Sequence, residues 1–443
     1  MLSSHSLWQL ACSLGLGVAN PLEDIPAAGV NFHTQRLQAR EAFFALPGAN
    51  SHGIVFADEA LAAGAAFVVS DKPHPRGLQV RDPAALLLEL GYRARADYPG
   101  RIIGITGSSG KTSSRAMLST ALAAHSVQGN LNTPLAIAAF LVGLQQQPLG
   151  AKSLTVLELG IDHPGEMAQL LALVRPHYGL LTLISSSHLE ALGDVAGVAR
   201  EKSQLIDAAE RSWVSAQAYP FLNAAQRHKS LCYGLCDSDA ALDICGRMLQ
   251  ADAYGQQLEI ASLQLQLPYP GRAMATNAVG AVAIALHCGV APETIAARLA
   301  TLQLEPARLH MHRRKELTVI DDSYNSNPAS AQAALEVLAA LPRPHVAILG
   351  DMLELGFASE EAHRQLGQAS RSLDACYFVG EASRWAAEEN PRAYYAASLD
   401  AIMPLLAEQF PAEPPVQASV LLKASRGLRF ERLVQWFLAR YPA

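Results

Sequence analysis

Nine consecutive residues, Gly104, Ile105, Thr106, Gly107, Ser108, Ser109, Gly110, Lys111 and Thr112, have the types and spacing to grip a phosphate chain. Glycines in such a loop let backbone N–H groups turn inward onto phosphate oxygens at a helix N-terminus. Lys111 is placed to reach the β- and γ-phosphates, and the Thr112 hydroxyl to ligate Mg²⁺. Ile105 stands where the strict pattern has glycine. The loop predicts a bound nucleoside triphosphate, ATP or GTP.

Carboxylates and histidines follow at intervals. Glu158 ends the apolar run 156–159, and a strand-end carboxylate near a phosphate loop holds Mg²⁺ against the transferring phosphoryl group. Asp162 and His163 precede Pro164 and Gly165, which make an ordered turn. His188 lies just past the next apolar run, and Lys202 ends the segment 198–202. Two denser groups come later. Asp321, Asp322, Ser323, Tyr324, Asn325, Ser326, Asn327 and Pro328 form one, and residues 350–356, with Asp351 and Glu354, form the other. Either alone could be an Asx-rich helix cap. Placed after successive strands, they mark the crevice where a doubly wound sheet binds its ligand.

These residues need a scaffold, and the apolar pattern supplies one. Leu7, Leu10, Ala11 and Leu14 have helical spacing. Strands are expected over 43–46 and 66–70, and helices over 56–65 and 84–98. Pro99 and Gly100 close the last of these and mark a boundary. A buried strand over 101–106 runs into the phosphate loop, and a helix begins near Ser113. Strands over 155–159, 178–184 and 211–214 alternate with helices, which signals a parallel α/β sheet. A third unit begins near Pro306, with strands over 317–321, 345–349 and 375–379 and helices over 330–341 and 359–372. The fold class is therefore α/β with three domains. A small N-terminal α/β domain (1–97) precedes a central P-loop ATPase-like parallel-sheet domain (98–305) and a C-terminal Rossmann-like domain (306–443).

The composition agrees with a chain of this kind. Half of the 443 residues are hydrophobic, 17% are charged, and the net charge is −6. Sizeable cores can form, and there is no basic excess with which to bind nucleic acid. No run approaches the length of a membrane span. Residues 1–18 lack a basic segment, so no signal peptide is expected. The six cysteines, at 12, 232, 236, 245, 288 and 376, are scattered, which suits a reducing cytoplasm better than a disulfide framework.

In order and spacing, these motifs resemble the Mur ligase family of ATP-dependent amide-forming enzymes, over essentially the whole chain. The resemblance covers the loop 106–112 and Gly129 to Asn132. It continues through Glu158, His188 and Lys202, and through both C-terminal groups. Lys423, Ala424, Ser425 and Arg426 resemble the family's Lys-Gly-Ser-Arg. It implies that ATP converts a substrate carboxylate to an acyl phosphate, which an amine, an amino acid or a dipeptide, then attacks. Lys111, Lys202, Glu158 and His188 would be catalytic. Thr112, Glu158, His188 and Lys202 would serve two Mg²⁺ ions, with Lys202 matching a lysine that family members carbamylate. Residues 106–112, Asn277, Arg308 at the hinge, Asp322 and Tyr324 would bind nucleotide. Asp162, His163, Asn325, Asn327, Asp351, Glu354, Lys423 and Arg426 would face substrate. The implied protein is a cytoplasmic monomer acting on small molecules, without nucleic-acid or membrane partners.

The N-terminal domain departs from the family. Its uridine-binding Asp-(Ser/Thr)-Arg is replaced by His33, Thr34 and Gln35, with Arg36 one residue away. Asn50, Ser51 and His52 stand where Asp-Gly-His is usual, and Gly271, Arg272, Ala273 and Met274 stand for Gly-Arg-His-Asn. Residues 132–135 also diverge. A lost bidentate arginine contact costs about 1.5–3 kcal/mol. Three readings therefore stand: an enzyme of peptidoglycan assembly, a paralogue with a non-UDP substrate in specialised metabolism, and a non-catalytic nucleotide-binding scaffold. The five intact residues Lys111, Thr112, Glu158, His188 and Lys202 weigh against the scaffold.

Overall fold

The structure is a computed structural model describing residues 2–20, 22–48, 51–127, 129, 131–315, 317–411 and 418–442. Asn50 and Asn130, named above, lie outside the described residues. The chain forms two compact units. One comprises Met1–Ile102, Val127–Leu159 and Ala168–Arg175, and the other Ile103–Ser126, Gly160–Met167 and Pro176–Ala443.

The first unit contains a sheet with strand order Gly17–Ala19, Gly77–Val80, Val68–Ser70, Glu41–Ala45, Gly29–Asn31. Only the first pair is antiparallel. Helix Pro83–Asp97 starts cleanly because Asp82 accepts from Ala85 N at 2.9 Å and Pro83 needs no donor in the first turn. It packs on helix Pro134–Leu144 so closely that a Cβ on Gly91 would lie 2.5 Å from Ala138 Cβ. Strand Leu154–Glu158 ends in this unit, carrying Glu158 at its carboxyl end. The first helix is Ser4–Ser13, with Leu7, Leu10 and Ala11 buried. Leu14 follows it and is 40% exposed, outside the expected apolar stripe.

In the second unit, strand order runs Leu263–Leu267, Gly255–Ile260, Ile244–Asp252, Ser230–Leu235, Arg211–Ser215, Tyr178–Leu181, and then Arg101–Thr106. The strands from Ile244–Asp252 to Arg101–Thr106 are parallel, as the alternation with helices predicts. The last two, Gly255–Ile260 and Leu263–Leu267, extend the sheet in antiparallel fashion. The apolar pattern did not lead us to expect that extension.

The same unit carries a second sheet, ordered His310–Arg313, Leu317–Asp321, Ala418–Lys423, His345–Gly350, Ala375–Val379, Tyr394–Ala396. All pairs but the first are parallel. Val319, Ile348 and Val420 pack into one apolar cluster, and their neighbours Ile320, Ala347 and Leu421 into another. Both faces are thus buried under helices, as a parallel sheet requires. Leu317–Asp321 and His345–Gly350 follow each other in sequence, yet Ala418–Lys423 lies between them. This strand reversal is the switch point where a crevice opens at the carboxyl ends. Asp321, Lys423 and Gly350 stand at those ends.

Candidate active site

Burial sets the phosphate loop in place. Strand Arg101–Thr106 is buried after its first residue, and its last residues pair with Tyr178–Leu181. The chain then turns through Gly107 (φ 149°) and Gly110 (φ 82°) into helix Lys111–Leu122. A Cβ on Gly107 would stand 2.0 Å from Thr182 Oγ1, and one on Gly110 2.8 Å from Asn277 Oδ1. Only glycine accepts both the backbone and the crowding. Asn277, on helix Arg272–His287, thus forms one wall of the loop.

The loop is tied to the end of the neighbouring strand. Thr182 Oγ1 donates to Ser109 O at 2.6 Å, Ser108 N to Leu183 O at 2.7 Å, and Ser108 Oγ to Ser185 O at 3.0 Å. Lys111 Nζ donates to Gly107 O at 2.6 Å, so the ammonium lies across the loop. Thr112 is buried beside it. Backbone N–H groups at this helix start and a cation folded over them suit a polyphosphate. Thr182 was not singled out from sequence, although a hydroxyl just past a strand next to the loop strand was a readable signal.

His188 is held in left-handed backbone (φ 54°) at the start of helix Leu189–Leu192. Its Nδ1 lies 2.7 Å from Glu354 Oε2 and 3.3 Å from Asp162 Oδ1. The hydrogen bond with His188 holds the Glu354 carboxyl below its usual range. Three expected site residues are therefore gathered at one point. His163 is exposed and close enough for its charge to act on Glu354, and its N and that of Asp162 both donate to Glu166 Oε2. Lys202 is fully buried in helix Val195–Ala208. In the first unit, Glu158 is buried and accepts from Asn132 Nδ2 at 3.3 Å.

The C-terminal crevice has its own geometry. The Arg308 guanidinium lies 3.9 Å above the Tyr324 ring centroid, and that of Arg426 lies 5.8 Å from it. Residues 307–309 bind to the strand-end turn, with Tyr324 N donating to Ala307 O and Leu309 N to Asp322 Oδ1. Lys423 Nζ pairs with Asp322 Oδ2 and donates to Asn325 O at 3.0 Å. Asn327 caps helix Pro328–Ala339, and its Nδ2 donates to Ser108 O at 3.2 Å. This bond joins the crevice to the phosphate loop. Asp351 is 7% exposed and accepts from Ser383 N and Ser383 Oγ, both at 2.7 Å, so its carboxylate is turned inward to cap helix Ser383–Glu389. A further ion pair missed from sequence joins Arg115, on the phosphate-loop helix, to Glu305, three residues before Arg308.

Among the described residues, no group of three or more His, Cys, Asp or Glu forms a cage for a metal ion. Mg²⁺ does not need one, since it keeps several waters and takes one or two carboxylates plus substrate phosphates. Within the second unit, the buried Thr112 hydroxyl is a hard oxygen donor of that kind.

Known proteins resemble this chain throughout. Residues 105–285 match the Mur ligase middle domain, and residues 307–425 match the Mur ligase glutamate ligase domain. The chain is 30% identical over 430 residues to the UDP-N-acetylmuramoyl-tripeptide–D-alanyl-D-alanine ligase of Escherichia coli K12, covering 93% of this chain and 94% of that one. The Bacillus subtilis protein of that name is 27% identical over 445 residues, covering 94% and 95%. MurF from Acinetobacter baumannii shares the fold with a TM-score of 0.84 at 25% identity, covering 99% of this chain and 98% of the other. MurF ligase from Thermotoga maritima, solved in complex with ADP, gives a TM-score of 0.77 at 24% identity over 93% of this chain and 97% of its own.

Proposed function

The chain belongs to the Mur ligase family of ATP-dependent amide-bond-forming ligases, and on that premise we propose that it joins UDP-N-acetylmuramoyl-tripeptide to D-alanyl-D-alanine. ATP transfers its γ-phosphoryl group to the tripeptide carboxylate, the dipeptide amine attacks the acyl phosphate, and ADP and phosphate leave. The observation that carries this reading is the Asn327 to Ser108 bond, which sets the C-terminal crevice against the phosphate loop within one unit.

In this reading, residues 106–110 bind the phosphates through backbone N–H groups. Lys111 exchanges its bond to Gly107 O for the γ-phosphate and spreads the charge that develops in transfer. Asn277 holds the loop's shape, and Arg308, stacked on Tyr324, is positioned for the nucleotide. Asp322, paired with Lys423, fixes the turn that carries Tyr324 and Asn325. Magnesium, when bound, neutralises phosphate charge during transfer. As the family resemblance implies, the Thr112 hydroxyl and the Glu158 carboxylate would be its oxygen donors. His188, paired with Asp162 and Glu354, would be the nitrogen donor. Lys202 would join the metal ligands only after carbamylation turns its cation into a carboxylate-like group. Arg426 supplies positive charge for a substrate carboxylate, and Lys423, buried and paired with Asp322, supports the turn beside it. We read the enzyme as a monomer. We place it in the cytoplasm, where ATP is available. No helix among the described residues is long and apolar enough to cross a membrane.

A paralogue with a different carboxylate substrate is the second reading, and one observation favours it. In the turn that replaces the uridine signature, polar groups satisfy one another. Asn31 Nδ2 donates to Arg36 O and Glu41 Oε2, and Asn31 Oδ1 accepts from His33 N. Isotope transfer tests the chemistry common to both readings. With ¹⁸O in the carboxylate of whichever substrate supports turnover, each turnover should place one label in the released phosphate. Turnover with unlabelled phosphate would exclude an acyl phosphate.

A further inference from the structure

Scattered thiols are the expectation from sequence, but the structure joins two of them. Cys236 and Cys245 form a disulfide with Cα atoms 5.1 Å apart. They stand at the end of strand Ser230–Leu235 and the start of its parallel neighbour Ile244–Asp252, where Gly234 lies opposite Cys245. Cys236 N also donates to Gly246 O at 2.9 Å. The pairing therefore follows from strand register, which brings the reduced thiols back within reach of each other so that the bond can re-form. Both residues are exposed. Cys232 and Cys376 differ: both are buried, and burial pushes their thiols up to about 11 and about 12.

The residue after Cys236 connects the disulfide to the nucleotide loop. Asp237 binds Arg272 through two parallel bonds, Nη1 to Oδ2 at 2.7 Å and Nη2 to Oδ1 at 2.8 Å. Arg272 is the first residue of helix Arg272–His287, whose N-cap Gly271 offers no side-chain cap. An aspartate fixed there also complements the helix dipole. The same helix carries Asn277, whose amide forms the wall beside Gly110.

We propose that Cys236 and Cys245 are a reversible thiol–disulfide modification site that tunes nucleotide affinity through Asp237, Arg272 and Asn277. Oxidation requires a small-molecule disulfide of the glutathione class. One cysteine thiolate attacks it, releasing one small thiol and leaving a mixed disulfide. The second cysteine displaces the other small thiol and closes the Cys236–Cys245 bond. Two protein thiols are thereby oxidised and one small disulfide is reduced. An exposed disulfide of this kind is open to exchange with such a pool. In the oxidised state the residue after Cys236 is fixed, and Asp237 holds the helix start. In the reduced state the segment 236–245 gains conformational freedom, the Asp237 to Arg272 contact loosens, and Asn277 presses less firmly on the loop. The proposal deepens the nucleotide-site reading above but does not depend on which carboxylate or amine the enzyme uses.

The test uses the full-length protein equilibrated in oxidised and reduced glutathione, with alkylation mapped by mass spectrometry and ADP affinity measured by calorimetry. Cys236 and Cys245 should be protected together in the oxidised protein and alkylated together in the reduced one, with ADP affinity about three-fold weaker or more on reduction. The double variant Cys236→Ser, Cys245→Ser should bind ADP like the reduced protein under both conditions. Arg272→Ala should weaken ADP binding and abolish the redox response while leaving the disulfide intact. Alkylation of either cysteine in the oxidised protein, equal ADP affinity in the two states, or a full redox response in Arg272→Ala would each overturn the proposal. Failure of the ligase reading would show instead as absent amine-dependent turnover with the ADP shift intact.

Discussion

Glu354 Oε2 lies 2.7 Å from His188 Nδ1, joining the loop after strand His345–Gly350 to the turn after strand Tyr178–Leu181. The backbone reinforces the contact, since Glu190 N approaches Glu354 O at 3.4 Å. Both residues hold left-handed backbone, with φ 54° at His188 and 64° at Glu354. Two non-glycine residues in that region facing one another indicate that the surrounding structure enforces the arrangement.

A pH dependence arises from this pair. The Glu354 carboxyl is held below its ordinary value of 4.5 by the bond with His188. A lowered folded value means that its stabilisation is complete above pH 4.5 and fades as pH falls through the folded value. Urea unfolding of the wild type and of Glu354→Gln between about pH 3 and 6 should show a gap that closes toward the acid end. A gap constant across that range would contradict the pairing.

Lys111→Ala should lower ATP turnover by about 10²-fold or more, the scale for removing one preorganised group from a developing charge. Loss in kcat should exceed loss in ADP affinity, because the lysine acts on the γ-phosphate. Unchanged ATP consumption would refute the assignment.

Gly110→Ala forces an L-residue into φ 82° and a Cβ to within 2.8 Å of Asn277 Oδ1. The left-handed backbone alone costs about 1–2 kcal/mol. Denaturant unfolding should register that loss, and ADP binding should weaken with it. Pairing the change with Asn277→Ala should relieve the steric part and recover some stability, but not the backbone part.

Arg115 is 4% exposed and pairs with Glu305. Removing one partner of a buried pair costs about 3–5 kcal/mol, because the other charge loses its compensation. Glu305→Ala should fall toward the lower end, since its side chain is 25% exposed. A loss of unfolding free energy well under about 1 kcal/mol would show that solvent screens the pair.

The parallel sheets and the phosphate loop were legible because each rests on local pattern: an apolar run, a glycine turn, and a helix start close together in the chain. Strands 101–106, 317–321 and 375–379 were expected with the bounds observed. Period-two burial of Leu263, Leu265 and Leu267 was in principle readable as the antiparallel extension. Contacts between distant segments were not legible. Nothing local in Arg115 or Cys236 indicates what each meets. Asp351 has the spacing of a crevice ligand, and only the fold reveals Ala382 N, Ser383 N and Ser383 Oγ donating to it from beneath. The turn at 31–36 shows the converse, where altered residues are visible in sequence but their mutual satisfaction is visible only in space.

Release of ADP, followed while UDP-N-acetylmuramoyl-tripeptide and D-alanyl-D-alanine are supplied separately and together, tests the central claim most directly. The ligase reading predicts turnover at micromolar tripeptide only when both substrates are present, with one amide bond formed per ADP. ADP release that the dipeptide does not stimulate, or no release with both substrates present, would contradict it.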